Sequence, residues 1–425
     1  MQTTSPATKW VMLALSYLVL IACFIPYIGW SVSLLDILDQ FELSSAQAGL
    51  LGSITALVGG LVLPFAGVIG DRIGIKKIIL IGIVAALIGQ LMFAWAPDYL
   101  VLMLGRAISG LGVGLLFVGP YTMAINWFER ERRSGIALGI MFTSDGIGSY
   151  LSLYAFAIVL TAFGWQTGSA IGGVFLAVVF VIAAIFLKDA PRDDAGEAAA
   201  VADADADGRS TISWLLSRNV LVAALFFIGE WGIFAIVAVW MPTILIEEAG
   251  WDPTLAGLLA SLYVIFGIIP SILFGLISDR MNRRKPLIVA AGAVMTLSMA
   301  LLTISLASGN YALVAILLPV VGLGVYTGMP VALALAADSV PTGKIGAVNG
   351  FVLGIGFIVG GFVYPYVMGA VKDATGEYTA GFVAMIVATL LLNLVAALFA
   401  KDVRRAPQPA AATAADRASE ADTAG

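Results

Sequence analysis

The sequence predicts an all-α membrane protein with twelve transmembrane helices arranged as two six-helix halves. Three observations predict it. The chain is 60% hydrophobic and only 12% charged over 425 residues, its mean hydropathy is +1.01, and its apolar runs follow one another from Trp10 to Ala400 with short polar breaks. Soluble domains carry about twice that share of charge. At roughly 20 apolar residues per spanning helix, these runs hold about a dozen spans. A barrel would need segments of about ten residues alternating apolar and polar, and Leu151 to Leu160 and Ile171 to Leu187 do not alternate. Helices remain, because the bilayer interior has no water for unpaired backbone groups.

In chain order the spans read 10–35, 46–69, 75–96, 100–127, 134–162, 166–187, 214–246, 254–277, 286–307, 311–337, 344–371 and 378–400. The first follows a polar start with Lys9 and lacks a small-residue cleavage site, so it reads as a retained span rather than a signal peptide. Asp36, Asp39 and Glu42 separate it from the second. Arg72, Lys76 and Lys77 mark the next break, Asp98 the one after, and Arg130, Arg132 and Arg133 the one before the fifth span. Residues 188–213, with Ala202-Asp203-Ala204-Asp205-Ala206-Asp207-Gly208 at their centre, cannot bury a core and read as a linker. Glu247, Glu248 and Asp252 precede the eighth span, and Arg280, Arg283, Arg284 and Lys285 precede the ninth.

Basic residues accumulate in cytoplasmic loops. With the N-terminus inside, all 22 Lys and Arg fall on the cytoplasmic side except Lys372 and the intramembrane Arg106. The expected organisation is therefore an N-terminal bundle at 1–187, a cytoplasmic linker at 188–213, a C-terminal bundle at 214–401 and a disordered cytoplasmic tail at 402–425, with both termini in the cytoplasm of a cell membrane.

The halves repeat. Gly67-Val68-Ile69-Gly70-Asp71-Arg72 is echoed 208 positions later by Gly275-Leu276-Ile277-Ser278-Asp279-Arg280, and Gly110-Leu111-Gly112-Val113 is echoed by Gly322-Leu323-Gly324-Val325. Parallel six-span repeats with a site between the halves are a recurrent transporter plan.

The segment Gly67-x-x-x-Asp71-Arg72-x-Gly74-x-Lys76-Lys77 resembles the loop 2-3 signature of the major facilitator superfamily. The copy at 275–285 sits where that family repeats it, and Arg106-x-x-x-Gly110-x-Gly112 resembles its fourth-helix motif. The resemblance covers about residues 10–400. It implies that Gly67, Asp71, Arg72, Gly74 and Lys76, with Gly275, Asp279 and Arg280, form a gating motif in which charges and helix ends latch the cytoplasmic face of the outward-facing state. Ser144-Asp145-Gly146-Ile147-Gly148 replaces the span-five motif of drug:proton antiporters, which counts against drug export. The Trp127-Phe128 and Gly135 to Gly139 region is similar to nitrate and nitrite porters, but spans two and eight lack the arginines those porters use, which counts against nitrate.

Three charges remain inside spans: Arg106, six residues or roughly 9 Å into the fourth, Asp145, eleven into the fifth, and Glu230, sixteen into the seventh. Such residues usually face the bundle interior and serve function. Arg106 is a candidate for binding an anion or steadying a carboxylate, or else a structural partner for Asp145 or for backbone carbonyls. With no histidine in the chain, any proton coupling falls to Asp145 and Glu230. Tyr27, Tyr121, Trp231 and Tyr326 are the cavity aromatics that the resemblance implies. Cys23 is the single cysteine, and neither a metal-ligand spacing nor a phosphate-binding loop is present, so no cofactor or metal is expected.

The reading is a monomeric secondary active transporter. It would move a small polar or anionic organic solute by alternating access, as a symport with protons. Proton-driven efflux of an amphipathic compound is the alternative, and a non-transporting sensor on the same scaffold is the third reading. No nucleophile, base and orienter converge as in an enzyme, and lipid rather than nucleic acid is the implied macromolecular surrounding.

Overall fold

The computed structural model describes residues 6–128, 134–190, 210–281, 283–341 and 344–402. Twelve helical stretches are long and apolar enough to cross a membrane. They are α1 (Ala7–Phe41), α2 (Ser45–Gly67), α3 (Ile75–Ala94), α4 (Tyr99–Phe128), α5 (Ala137–Phe163), α6 (Trp165–Phe186), α7 (Arg218–Glu247), α8 (Pro253–Ser278), α9 (Lys285–Ala307), α10 (Tyr311–Ala337), α11 (Ile345–Thr375) and α12 (Tyr378–Leu398). Each predicted span overlaps one of them. Most of the expected linker and nearly all of the tail, 191–209 and 403–425, lie outside the described residues, as do Arg130, Arg132 and Arg133.

Two span ends differ from the prediction for local reasons. The first helix gives way to a tighter 3-10 stretch at Gly29–Ser33 and resumes at Leu34–Phe41, so α1 runs past the predicted end at 35. The seventh begins at Arg218 rather than 214, because extended backbone at Ser217 breaks the chain and leaves Thr211–Leu215 as a separate short helix. Wider i→i+5 turns interrupt α5 at Leu151–Ala155 and α11 at Gly356–Gly361, equivalent helices of the two halves.

Close helix approach within each half follows from glycine. A Cβ at Gly112 would lie 2.5 Å from the Ala86 nitrogen and 2.6 Å from the Gly82 carbonyl, and one at Gly114 would lie 2.6 Å from the Gly59 carbonyl, so α4 rests directly on α3 and α2. In the second half Gly322 presses α10 against the Tyr263 carbonyl of α8, and Gly324 presses it against Met295 of α9. The repeated sequence is thus a repeated packing rule. Small residues of this kind replace a hydrophobic driving force that lipid cannot supply.

The halves meet at one face and part at the other. At the face opposite the chain termini, Gly49 of α2 lies on the Pro365 carbonyl of α11, and Gly257 of α8 lies on the Leu153 carbonyl of α5. At the terminal face a Cβ on Gly67 of α2, Gly139 of α5, Gly275 of α8 or Gly346 and Gly350 of α11 would meet nothing within 4 Å among the described residues. The same four helices are closed at one end and open at the other.

Gly112→Ala should destabilise the protein by about 1–3 kcal/mol, because its neighbours there are backbone and cannot yield. Gly139→Ala should be neutral. Thermal unfolding of the two purified variants in one detergent checks this contrast.

Candidate functional site

Arg106 is only 2% exposed, and its guanidinium is consumed by backbone. Nε donates to the Leu51 carbonyl at 3.2 Å, one terminal nitrogen donates to the Tyr27 carbonyl at 3.0 Å, and the other donates to the Pro26 carbonyl. The guanidinium carbon stands 4.6 Å from the Trp30 ring, in cation–π geometry. In return the Arg106 carbonyl accepts from Thr55 Oγ1 at 3.0 Å. The change from α to 3-10 geometry after Ile28 leaves the Pro26 and Tyr27 carbonyls short of regular helical donors, and a planar five-donor group fits such a fork. Of the roles open to Arg106 in the sequence, the geometry matches the partner of backbone carbonyls. It makes no bond to Asp145 among the described residues.

Asp145 and Glu230 have no such partner. Tyr121 donates to Asp145 Oδ2 at 2.9 Å, while Oδ1 is buried and unbonded. Glu230 is 0% exposed, and neither carboxylate oxygen meets hydrogen-bond geometry, although the Met329 backbone lies near enough to interact. Tyr326 of α10 is within electrostatic reach of both acids. A small cleft between α5, α8 and α10 is lined by Asp145 together with Thr143, Ile268, Tyr326 and Met329. One acid belongs to each half.

Beside these acids stands a stack of rings from four helices. Trp231 of α7 lies 4.4 Å from Phe357 of α11 and 5.0 Å from Phe234 of its own helix. Tyr27 of α1 stacks on Phe234 and on Phe357, at 6.4 and 6.0 Å, and Phe117 of α4 meets Phe357 edge-on at 5.1 Å. The structure therefore brings Tyr27 and Trp231 together, and holds Tyr121 and Tyr326 at the acids instead. Phe357, at the centre of the stack, was not singled out in the sequence; its signal was a lone ring within the glycine-rich run 354–361.

At the terminal face the gating motif is only partly described. Gly74 has φ +98°, a region that disfavours any side chain, and a Cβ there would lie 2.8 Å from the Asp189 carboxylate. Asp189 accepts from the Lys76 backbone N–H at 2.8 Å, and Lys76 Nζ reaches the Ala184 carbonyl at 2.8 Å. Arg72 and Arg280 are exposed, Gly67 and Gly275 face open space, and the side chains of Asp71 and Asp279 lie outside the described residues. In the second half Asp402 plays the part of Asp189: it accepts from the Arg284 and Lys285 backbone N–H groups at 2.9 and 2.8 Å and pairs with Arg283 at 3.0 Å. Both acids sit in a repeated Lys-Asp step, 188–189 and 401–402, that the sequence reading passed over. Burial draws the Asp402 carboxyl upward, but the Lys285 N–H and the Arg283 side chain outweigh it and hold the group below its ordinary range.

A family model, Major Facilitator Superfamily, matches residues 15–362. A probable sulfoacetate transporter of Cupriavidus necator is 25% identical over 304 residues, spanning 69% of this chain and 70% of that protein. A probable nitrate/nitrite transporter of Mycobacterium tuberculosis is 27% identical over 334 residues, 78% of this chain and 81% of that one. Among solved structures, a D-xylose-proton symporter superposes with a TM-score of 0.74 at 18% identity, covering 93% of this chain and 98% of the symporter.

Arg106→Lys should cost about 2–3 kcal/mol, since one ammonium cannot serve three carbonyls on two helices, and should lower the thermal midpoint. Were Arg106 a solute ligand instead, the lysine variant would keep its stability and lose transport alone. For Asp402, whose native pKa is depressed, stabilisation is present above the unfolded carboxylate value and is lost as pH falls through the native one. Asp402→Asn should therefore lower stability near neutrality and flatten the acid limb of a stability–pH profile. Three lines thus converge, the twelve-span fold, the paired glycine and Lys-Asp repeats, and a family model spanning most of the chain: this multi-pass membrane protein belongs to the major facilitator superfamily of transporters.

Proposed function

We propose that the chain is a proton-coupled symporter for a small anionic organic solute, with Asp145 and Glu230 as the proton-carrying groups. The observation that carries this reading is the pair of carboxylates, one from each half, Glu230 buried and Asp145 half-buried with one oxygen enclosed and unbonded, without a cationic partner among the described residues. Arg106 pairs with neither acid, because its guanidinium is held by the Pro26, Tyr27 and Leu51 carbonyls.

An unpaired buried carboxylate is costly, and a bound proton removes the cost. An anion arriving beside two ionised acids is repelled, and beside protonated acids it is not. Anion binding then favours proton binding and the reverse holds to the same degree, as linkage requires. Neutral donors suit such a solute: the Tyr364 hydroxyl is buried without a hydrogen-bond partner, and the Trp231 indole nitrogen has only a loose contact with the Tyr27 hydroxyl. The two relatives above, for sulfoacetate and for nitrate or nitrite, are named for small anions. The missing arginines of spans two and eight favour the organic anion over nitrate.

The basic residues at the terminal face support a cytoplasmic position for that face and both termini, and on that reading the conformation is inward-open. The protein works as a monomer in the cell membrane, and its two halves rock about the central site.

Uptake into proteoliposomes with an imposed pH gradient tests the proposal, with sulfoacetate and a panel of small carboxylates as probes. A gradient of one pH unit supplies about 1.4 kcal/mol per proton, so an electroneutral one-to-one symport should accumulate its solute about tenfold. Glu230→Gln or Asp145→Asn should abolish that accumulation while leaving solute exchange across the membrane. Equal accumulation by wild type and both variants would sink the proposal.

A further inference from the structure

The first turn of α2 is complete only when the halves touch. Its N-terminus has orphan backbone donors, as every helix does, and a capping box serves one of them within the same half: Gln47 N–H donates to Ser44 Oγ at 3.2 Å, and Ser44 N–H donates in return to Gln47 Oε1 at 2.9 Å. The next two donors have an acceptor in the opposite half. Ser45 N–H donates to Asp373 Oδ1 and Ala46 N–H to Asp373 Oδ2, each at 2.8 Å, and Asp373 stands at the end of α11. Behind it, Gly369 lies directly on the Ser45 carbonyl.

Lys372, beside Asp373, is turned away. Its Nζ pairs with Glu247 at 3.5 Å and Glu248 at 3.9 Å and lies 3.9 Å from the centre of the Tyr378 ring, all within the second half. The carboxylate of Asp373 is thereby left to the α2 N-terminus, where negative charge is favourable. The other seam at this face is built differently. The N-terminus of α8 is capped by its own Asp252, which accepts from Thr254 and Leu255 at 2.9 and 3.3 Å, and α5 brings the Leu153 carbonyl and the Ala157 methyl group against Gly257.

We propose that Asp373 is the latch of the solute pathway at the face opposite the termini. It is a positioning residue that holds α2 to α11 and must release the α2 N-terminus before that face opens, whereas the α5–α8 seam has no ionic latch. The inference rests on the alternating-access reading and adds to it the side chain that sets the balance between the two open states.

The test uses the full-length chain in lipid nanodiscs, with spin labels on cysteines at the exposed positions Asp39 and Ser308, one in each half; the native Cys23 is buried and stays unlabelled. Double electron–electron resonance reads the separation of the halves at this face. Asp373→Asn should raise the long-distance population relative to the short one by about tenfold, the low end for a charge-assisted bond, and Asp373→Glu should restore the short one. Ser45→Pro deletes a donor from the other side at a helix position that tolerates proline. It should act in the same direction, and the double variant should exceed neither single one, since both remove one interaction. Unchanged distances in folded Asp373→Asn and Ser45→Pro proteins, or additive effects in the double variant, would overturn the latch. Gly369→Phe separates the two ideas by wedging the seam apart. A wedge that opens the face while Asp373→Asn does not refutes the latch alone, and a wedge that yields no long-distance population refutes alternating access with it.

Discussion

Backbone groups inside a bilayer have no water to fall back on, and each place where a helix of this protein departs from regular geometry has to be answered from within the bundle. The clearest answer is Arg106. The first span tightens after Ile28, and one guanidinium on α4 collects its Pro26 and Tyr27 carbonyls together with the Leu51 carbonyl of α2. Three spans are joined by one side chain. The glycine contacts that set α4 on α2 and α3 make this possible, since a longer separation would put those carbonyls out of reach. The position of Tyr27, and of the ring stack it enters, follows from that bond.

The same constraint makes the exceptions informative. Among the polar side-chain atoms left without partners, both Glu230 oxygens and one Asp145 oxygen belong to the central region between the halves. These side chains leave hydrogen-bonding capacity open where the two halves face each other.

Much of this was legible in the sequence. Twelve spans follow from apolar length alone, and the glycine at 74 is required by a backbone angle that other residues resist. The three intramembrane charges were found by exclusion. Their division of labour was not, because nothing in the linear order says that a 3-10 stretch after Ile28 would leave carbonyls free for Arg106 rather than a solute. Phe357 and Asp373 were passed over for a related reason. A phenylalanine in an apolar run and an aspartate near a helix end are individually ordinary, and they acquire meaning only from a partner some 300 residues away, at Tyr27 or at Ser45. Spans one and seven were misjudged at one end each, since a break within a helix leaves hydropathy unchanged.

Asp189 and Asp402 anchor the last helix of each half to the first turn of the third helix of that half. Asp189 is also the point from which the chain leaves the first half toward the second. Tension arising anywhere in the crossing between the halves therefore ends at a carboxylate fixed to α3, with Trp127 holding the preceding Lys188 carbonyl at 2.9 Å, and does not pull on α6 itself. The fastening acts as a strain relief, like the clamp where a cable enters a housing, so the crossing can lengthen or shorten in evolution without unseating the bundle it leaves.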